Sequence, residues 1–312
     1  MLDSLGITVV TIPLPFRLNH VNCFLAEGEN GWIAIDSGLN NETTKKIWSE
    51  AIGEKEVSRL IITHYHPDHY GYAGGLQEKT GASLSMTEID DRAGRNAWKD
   101  EFIQQIRNYY TMAGIPDQLA NEMERNTAEF IPRITPYPRV DHYLQEGENI
   151  AIGRYEYEVI FTPGHSDGLV CFYNRDKNVL FSTDHILPKI TPNISYWFHG
   201  DKNPLKTYQH SLNKIKRLHA DFVIPSHGRP FYGANERIDE ILTHHEERLG
   251  ETLDAIGTGS TVYDVCCRLF RKDLTVHEQR FALGETLAHL EYLRYEKECK
   301  REKREGTWYY TV

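Results

Sequence analysis

The chain has 312 residues, 40% of them hydrophobic and 26% charged, with a formal net charge of -10. That length suits one large domain plus a small one, and the composition excludes a fibre or a disordered tract. The negative balance excludes a chain that binds nucleic acid by its overall charge.

The first third of the chain reads as strand and turn. Ile7 to Ile12, Val21 to Ala26 and Gly31 to Ile35 are β-branched or apolar runs, and Asp36-Ser37-Gly38 ends the third with turn residues. Thr43 to Ile52 has helical spacing through Ile47, Trp48, Ala51 and Ile52. Val57 to Thr63 is a short apolar run, read as a buried strand that stops at His64. From Glu88 to about Asn126 the pattern is helical, with Phe102, Ile103, Ile106, Tyr109 and Tyr110 on one face, until Pro132, Pro136 and Pro138 break it. This stretch is read as an inserted cap. Strands resume at Gly147–Ile152, Tyr155–Thr162, Leu169–Tyr173, Val179–Ser182 and Phe222–Pro225.

The composition shifts near Arg237. Ile238, Ile241, Leu242, His245, Leu249, Leu253 and Ile256 recur at helical spacing, and Val262–Phe270 and Glu278–Glu296 are two further helices. The chain closes on a hairpin turning at Glu305-Gly306, so this end reads as a winged-helix-like module. Mixed strands and helices without a repeat of about 20–50 residues give an α/β class. The expected organisation is a catalytic domain over 1–236, with an insertion at about 88–138, and a winged-helix-like domain over 237–312.

Five cysteines (Cys23, Cys171, Cys266, Cys267 and Cys299), an odd number without C-x-x-C spacing, argue against a disulfide framework or zinc ribbon. They read as thiols in a reducing compartment. The N-terminus lacks a basic-then-apolar leader, and no run reaches the roughly 18–20 apolar residues of a membrane span. A cytoplasmic protein without membrane association is expected.

The chemistry is concentrated in Thr63-His64-Tyr65-His66-Pro67-Asp68-His69. Imidazole and carboxylate suit zinc, iron or manganese better than calcium, which prefers oxygen alone. On a straight strand His64 and His66 point the same way, while Pro67 turns Asp68 and His69 toward a second point. A helix starting at Gly71 is expected to follow, with Gly71, Gly74 and Gly75 permitting close backbone approach. Further ligand types end other strands: His165 in Thr162-Pro163-Gly164-His165, Asp184 after Phe181-Ser182-Thr183, and His227 in Ser226-His227-Gly228.

These motifs, in this order and with Asp36 in Ile35-Asp36-Ser37-Gly38, resemble the metallo-β-lactamase superfamily over roughly residues 1 to 235. The resemblance implies an αββα sandwich with a dinuclear site at the sheet edges. It places His64, His66 and His165 on one metal, Asp68, His69 and His227 on the other, and Asp184 between them. Asp36 would orient ligands by hydrogen bonds. Two divalent metals follow, zinc by default and iron or manganese as alternatives. The implied reaction is cleavage of a thioester, ester or lactone by a hydroxide bridging the metals, with Asp68 and Asp184 as catalytic residues. Penicillinases commonly carry cysteine where Asp184 stands, and flavodiiron reductases carry glutamate at the place of His66. The glyoxalase II-like hydrolases and thioesterases fit better. Cleavage of single-stranded RNA and oxidation at a single iron, in the manner of a persulfide dioxygenase, are the alternatives.

The substrate side is less constrained. Tyr196, Trp197 and Phe198 follow Asp184 after Pro188 and Pro192 and are candidates for a pocket wall. His185 lies beside Asp184 and reads as either a supporting or an exposed residue. His20, His142, His199, His210, His219, His244, His245, His277 and His289 match no ligand motif and read as ordinary. In the closing hairpin basic residues alternate with Glu296, Glu298, Glu302 and Glu305, which reads as a solvated wing rather than an RNA stripe. The expected partner is a small molecule or acyl thioester, with RNA less favoured and a homodimer possible.

Overall fold

The computed structural model describes residues 1–270 and 273–312. A one-turn helix α1 (Leu2–Leu5) leads into a six-stranded sheet. Its strands are β1 (Ile7–Pro13), β2 (His20–Ala26), β3 (Trp32–Ile35), β4 (Val57–Ile61), β5 (Ser83–Met86) and β6 (His142–Tyr143), side by side in chain order. The first three are antiparallel, and the pairs from β3 to β6 are parallel. A second sheet holds β7 (Asn149–Ile152), β8 (Tyr155–Phe161), β9 (Val170–Asn174), β10 (Val179–Thr183), β11 (Phe222–Pro225) and β12 (Phe231–Tyr232). Only β10 and β11 pair in parallel within it.

Alternation along each strand shows why two sheets stack between helices. Phe24, Ile35 and Ile61 point into one cluster with Phe172, Phe181 and Ile224 of the second sheet. Their neighbours Cys23, Leu25, Ala34 and Leu60 point the other way, onto Trp48 of α2 (Glu42–Ile52). On the far side Cys171, Leu180 and Val223 meet Leu205, Tyr208 and Leu212 of a later helix (Pro204–Lys216). The central strands of each sheet are covered on both faces, so they read as continuous apolar runs. The layering is the αββα sandwich.

The glycines after the ligand motif have a steric reason, though the helix they were expected to open is divided. A short helix α3 (Pro67–Tyr70) takes Pro67 at its first position, and α4 (Ala73–Thr80) follows. Gly71 therefore ends one turn rather than starting a helix. A Cβ on Gly74 would lie 1.9 Å from the Pro136 carbonyl oxygen, and one on Gly71 2.6 Å from that of Arg133. The glycines let the end of the insertion lie directly on this turn.

The helical insertion comprises α5 (Glu88–Asn96), α6 (Asp100–Met112) and α7 (Asp117–Ala128). Then come α8, the Pro204–Lys216 helix above, and the long α9 (Ala234–Ile256). The chain ends in β13 (Ser260–Thr261), α10 (Val262–Leu269), α11 (Val276–Tyr295), β14 (Lys300–Arg304) and β15 (Thr307–Thr311). Thr261 and Thr275 cap α10 and α11 with reciprocal capping boxes. The hairpin turns on Glu305 and Gly306, both at positive φ (47° and 89°), and β13 pairs with β15 to complete the wing. Ile106, Tyr110 and Met123 of the insertion share one apolar cluster with Val262, Leu283, Leu287 and Tyr310 of this end. Cap and wing are thus packed as one body over the sandwich. Among the described residues no helix is long and apolar enough to cross a membrane.

Candidate metal centre

Every ligand type singled out in the sequence arrives at one edge of the sandwich. His64 and His66 follow β4, His165 follows β8, Asp184 follows β10 and His227 follows β11. Among the described residues three groups of donor atoms lie close enough to hold an ion: His64, His66 and His165; His64, His69 and Asp184; Asp68, His69 and His227. In the first, His66 Nδ1 is 3.1 Å from His64 Nε2 and 2.8 Å from His165 Nε2. The Asp184 carboxylate lies between the sets, 3.4 Å from His165 Nε2, 3.3 Å from His227 Nε2 and 3.5 Å from His69 Nε2. Asp68 Oδ2 is 3.5 Å from His227 Nε2.

The outer nitrogens are held so that the inner ones face the cluster. His69 Nδ1 donates to Asp36 Oδ2 (2.8 Å), His165 Nδ1 to the Asn193 carbonyl (2.8 Å) and His227 Nδ1 to the His20 carbonyl (2.7 Å). His64 Nδ1 donates to Thr63 Oγ1 (3.1 Å), whose proton goes to Asp36 Oδ2 (2.9 Å). Asp36 also accepts from the Thr63 amide (2.9 Å), so one buried carboxylate orients two imidazoles and the loop between them. Two non-glycine residues at this edge sit in the left-handed backbone region, Asp36 at φ 58° and the β-branched Thr183 at φ 49°. Such a conformation costs about 1–3 kcal/mol. At Thr183 it accompanies a register break in the β10–β11 pairing, and the residue it presents is Asp184.

The electrostatics ask for positive charge. Burial, then neighbouring imidazoles, hold His64 and His66 far below the ordinary histidine range. Burial also acts downward on His69 and His227, but Asp184 and Asp68 outweigh it and raise both. Asp184 is buried, which works against its charge, yet His227 and His69 hold it well below the usual carboxylate range. On the side facing the cluster His69 Nε2, His227 Nε2 and Asp184 Oδ1 are buried without a hydrogen-bond partner, while His66, which turns Nδ1 inward, leaves Nε2 unpartnered on its far side. Orphaned inward-facing lone pairs on nitrogen and carboxylate oxygen fit a borderline divalent cation.

A cavity of about 400 Å³ opens on this cluster at His66, Asp68, His165 and Asp184. Its other walls are mostly apolar and come from the β1–β2 loop (Leu14, Phe16), the insertion (Trp98, Phe102, Phe130), the loop after Asp184 (Leu187, Trp197) and α11 (Phe281). Of the three aromatic candidates, Trp197 lines it. Tyr196 and Phe198 do not: Tyr196 is buried in the cluster shared by cap and wing, and Phe198 stacks on Tyr109 (4.3 Å between centroids). His185 is fully buried behind the site and held down to about 3 by burial.

Several contributors carry no ligand signature in the sequence. His199 and His277, read there as ordinary, line the cavity. Asp90 is fully buried and accepts from the Tyr65 amide (3.0 Å), Ser166 Oγ (2.7 Å) and the Gly168 amide (2.7 Å), tying the His64–His66 loop to the His165 loop. Burial pushes its carboxyl up to about 6. An acid in the first turn of α5 looks like an ordinary helix-start residue, so only its burial reveals this role. Asn193 and His20 act through backbone carbonyls, which leave no mark on residue type.

Residues 17–227 match the family described as the Metallo-beta-lactamase superfamily, and 249–312 match the Metallo-beta-lactamase-like, C-terminal domain. The chain is similar to a beta-lactamase-like protein 2 homolog of Caenorhabditis elegans, 25% identical over 78% of this chain and 68% of that one. It is similar to an acyl-coenzyme A thioesterase of Gallus gallus, 25% identical over 74% and 80%. Across the first four curated relatives the match spans 48–68% of their length. A crystal structure of a metallo-beta-lactamase family protein from Thermus thermophilus superposes over 98% of both chains, with TM-score 0.86 and 29% identity. With its two-sheet sandwich, its edge cluster of histidines and aspartates and its matching C-terminal domain, the chain belongs to the metallo-beta-lactamase superfamily.

Proposed function

We propose that the protein is a cytoplasmic, dinuclear metal-dependent hydrolase of acyl thioesters, with esters and lactones as related substrates. The observation that carries this reading is the apolar cavity opening on His66, Asp68, His165 and Asp184. An acyl chain gains about 25 cal/mol for each Å² of apolar surface it buries there. In this reading His64, His66 and His165 would hold one ion and Asp68, His69 and His227 the other, with Asp184 placed between the two sets. Two divalent ions, zinc by default, supply Lewis acidity and bring a coordinated water's pKa to about 7. The chain's own residues do the rest. Asp36 and the carbonyls of His20 and Asn193 fix the imidazoles, Asp184 lies between the two sets of ligands, and Asp68, about a fifth exposed, faces the cavity where substrate would sit. Residues 1–236 form the catalytic domain, and 237–312 close the pocket through α11. The similarity to a named acyl-coenzyme A thioesterase supports the same choice.

The RNA reading has little support in this geometry. Arg294 and Arg301 pair with the buried Glu291, Arg304 with Glu302, and Arg301 and Arg304 lie over Trp308 and Tyr309. The wing's three arginines and its aromatic rings Trp308 and Tyr309 are thus engaged within the wing itself. The test is a panel of acyl thioesters of increasing chain length, set against single-stranded RNA, with zinc-, manganese- and iron-loaded protein. Hydrolysis whose kcat/KM rises with acyl length is expected. RNA cleavage without thioester hydrolysis, or oxygen consumption by the iron form alone, would overturn the reading.

A further inference from the structure

The cavity that admits an acyl chain also contains a charge that an acyl chain does not need. Arg280, on α11, lines it and is only 8% exposed. Among the described residues its guanidinium makes one hydrogen bond, Nη1 to Asn126 Oδ1 (3.2 Å), and no ion pair, while Nε is buried without a partner. The carboxylates around the cavity are committed elsewhere. Asp68 and Asp184 face the imidazoles, Glu278 caps α11 through Thr275 and pairs with Arg17 (2.9 Å), and Glu285 accepts from Asn193 Nδ2 (2.9 Å). A buried cation without a counter-ion is costly, and one held in a substrate cavity is explained by an anion that arrives with the substrate. Arg280 also lies near enough to His277 to add to the burial that holds that imidazole down to about 4.

The free edge specifies the anion's shape. Asn126 takes one hydrogen of Nη1 and Nε is enclosed, which leaves Nη2 and the second hydrogen of Nη1 for a ligand. Two such donors side by side match the two oxygens of a carboxylate. We propose that Arg280 receives a carboxylate on the substrate itself, so that the preferred thioester is an acyl group with an apolar body and a second, anionic terminus. Resting on the thioester reading above, this narrows the substrate to monothioesters of dicarboxylic acids. Asn126 then acts as a positioning residue, holding the fork from the insertion while α11 supplies it from the wing.

The experiment compares a monothioester of octanedioic acid with the octanoyl thioester of the same neutral thiol, in metal-loaded wild-type protein, Arg280→Gln and Arg280→Lys. Wild type prefers the carboxylated substrate. Arg280→Gln lowers that preference by about tenfold to a hundredfold, mainly through KM, as expected for a charged hydrogen-bonded pair. Arg280→Lys keeps the charge but not the fork and falls between. A ratio unchanged in Arg280→Gln, including an equal loss for both substrates, overturns the proposal. Should wild type hydrolyse neither thioester, calorimetric binding of free octanedioate decides. Binding that is lost in Arg280→Gln upholds the anion site while the thioesterase reading falls, and no binding overturns the site as well. Tighter binding of octyl phosphate or octyl sulfate than of octanedioate would overturn the carboxylate assignment.

Discussion

Replacing Asp36 removes an acceptor that three donors share. Thr63 Oγ1 can relax, because it already accepts from His64, but the Thr63 amide and His69 Nδ1–H lose their only partners in a fully buried site. Each orphaned buried donor costs about 1–3 kcal/mol, so Asp36→Ala should lose about 2–6 kcal/mol of stability. Asp36→Asn is the sharper probe. Asparagine tolerates the left-handed backbone at φ 58°, so the turn survives. Its amide can serve the Thr63 amide or His69 but not both. If its NH2 faces His69, the imidazole must move its proton to Nε2, the atom turned toward Asp68 and Asp184. Metal affinity should then fall about 10–100-fold, a typical cost of losing such a supporting hydrogen bond. Urea unfolding of metal-free protein measures the first quantity, and competition with a chromophoric chelator the second. An Asp36→Asn protein that binds metal as wild type does would refute the orientation argument, and an unchanged urea midpoint in Asp36→Ala would refute the energetic one.

Two further outcomes follow from the packing around the site. Gly284→Ala places a Cβ 2.6 Å from Ser195 Oγ and disturbs the Tyr196 amide bond to the Gly284 carbonyl (2.9 Å). That loop carries the Asn193 carbonyl holding His165, so both metal content and kcat should drop, with a destabilisation of about 1–3 kcal/mol; elemental analysis and unfolding check this, and an unaffected enzyme contradicts it. The second concerns pH. His245 and His289 are 3.2 Å apart and buried, and burial above all holds them neutral, down to about 2 and about 4. In the unfolded chain both titrate near 6.5, so below that pH the unfolded state binds protons that the folded state refuses. Their contribution to stability is complete above about pH 6.5 and is lost as pH falls toward 4, by up to about 1.4 kcal/mol per pH unit for each. Unfolding of His289→Leu from pH 6.5 to 4.5 should show a shallower slope than wild type, and an equal slope would contradict the assignment.

The sandwich is legible in the sequence because its central strands, covered on both faces, are short apolar runs closed by turn residues. Phe222–Pro225 with Ser226-His227-Gly228 shows the pattern: run, ligand, turn. What is not legible falls into three physical kinds. The two-residue strands β6 and β12 are too short to show a period, β5 (Ser83–Met86) alternates serine with apolar residues over too few positions, and α8 escapes the reading although Asn203 and Pro204 give it a cap and a first residue. The carbonyls of His20 and Asn193 act through the backbone and are invisible to residue type. The cavity gathers Phe16, Trp98, Trp197 and Phe281 from four distant segments, so nothing local in the chain separates Trp197, which lines it, from Tyr196 and Phe198, which pack the core. Arg280 belongs to the last kind as well, since arginine in an amphipathic helix ordinarily faces water.

The central claim is that the edge cluster holds two ions that act together in hydrolysis. It is tested most directly by elemental analysis of the purified chain, with thioester hydrolysis measured before chelation, after chelation and after reloading. Two divalent ions per chain are predicted, with hydrolysis abolished by chelation, restored by zinc or manganese, and lost in His66→Ala and Asp184→Ala. A single ion per chain, or hydrolysis that survives both substitutions, would contradict it.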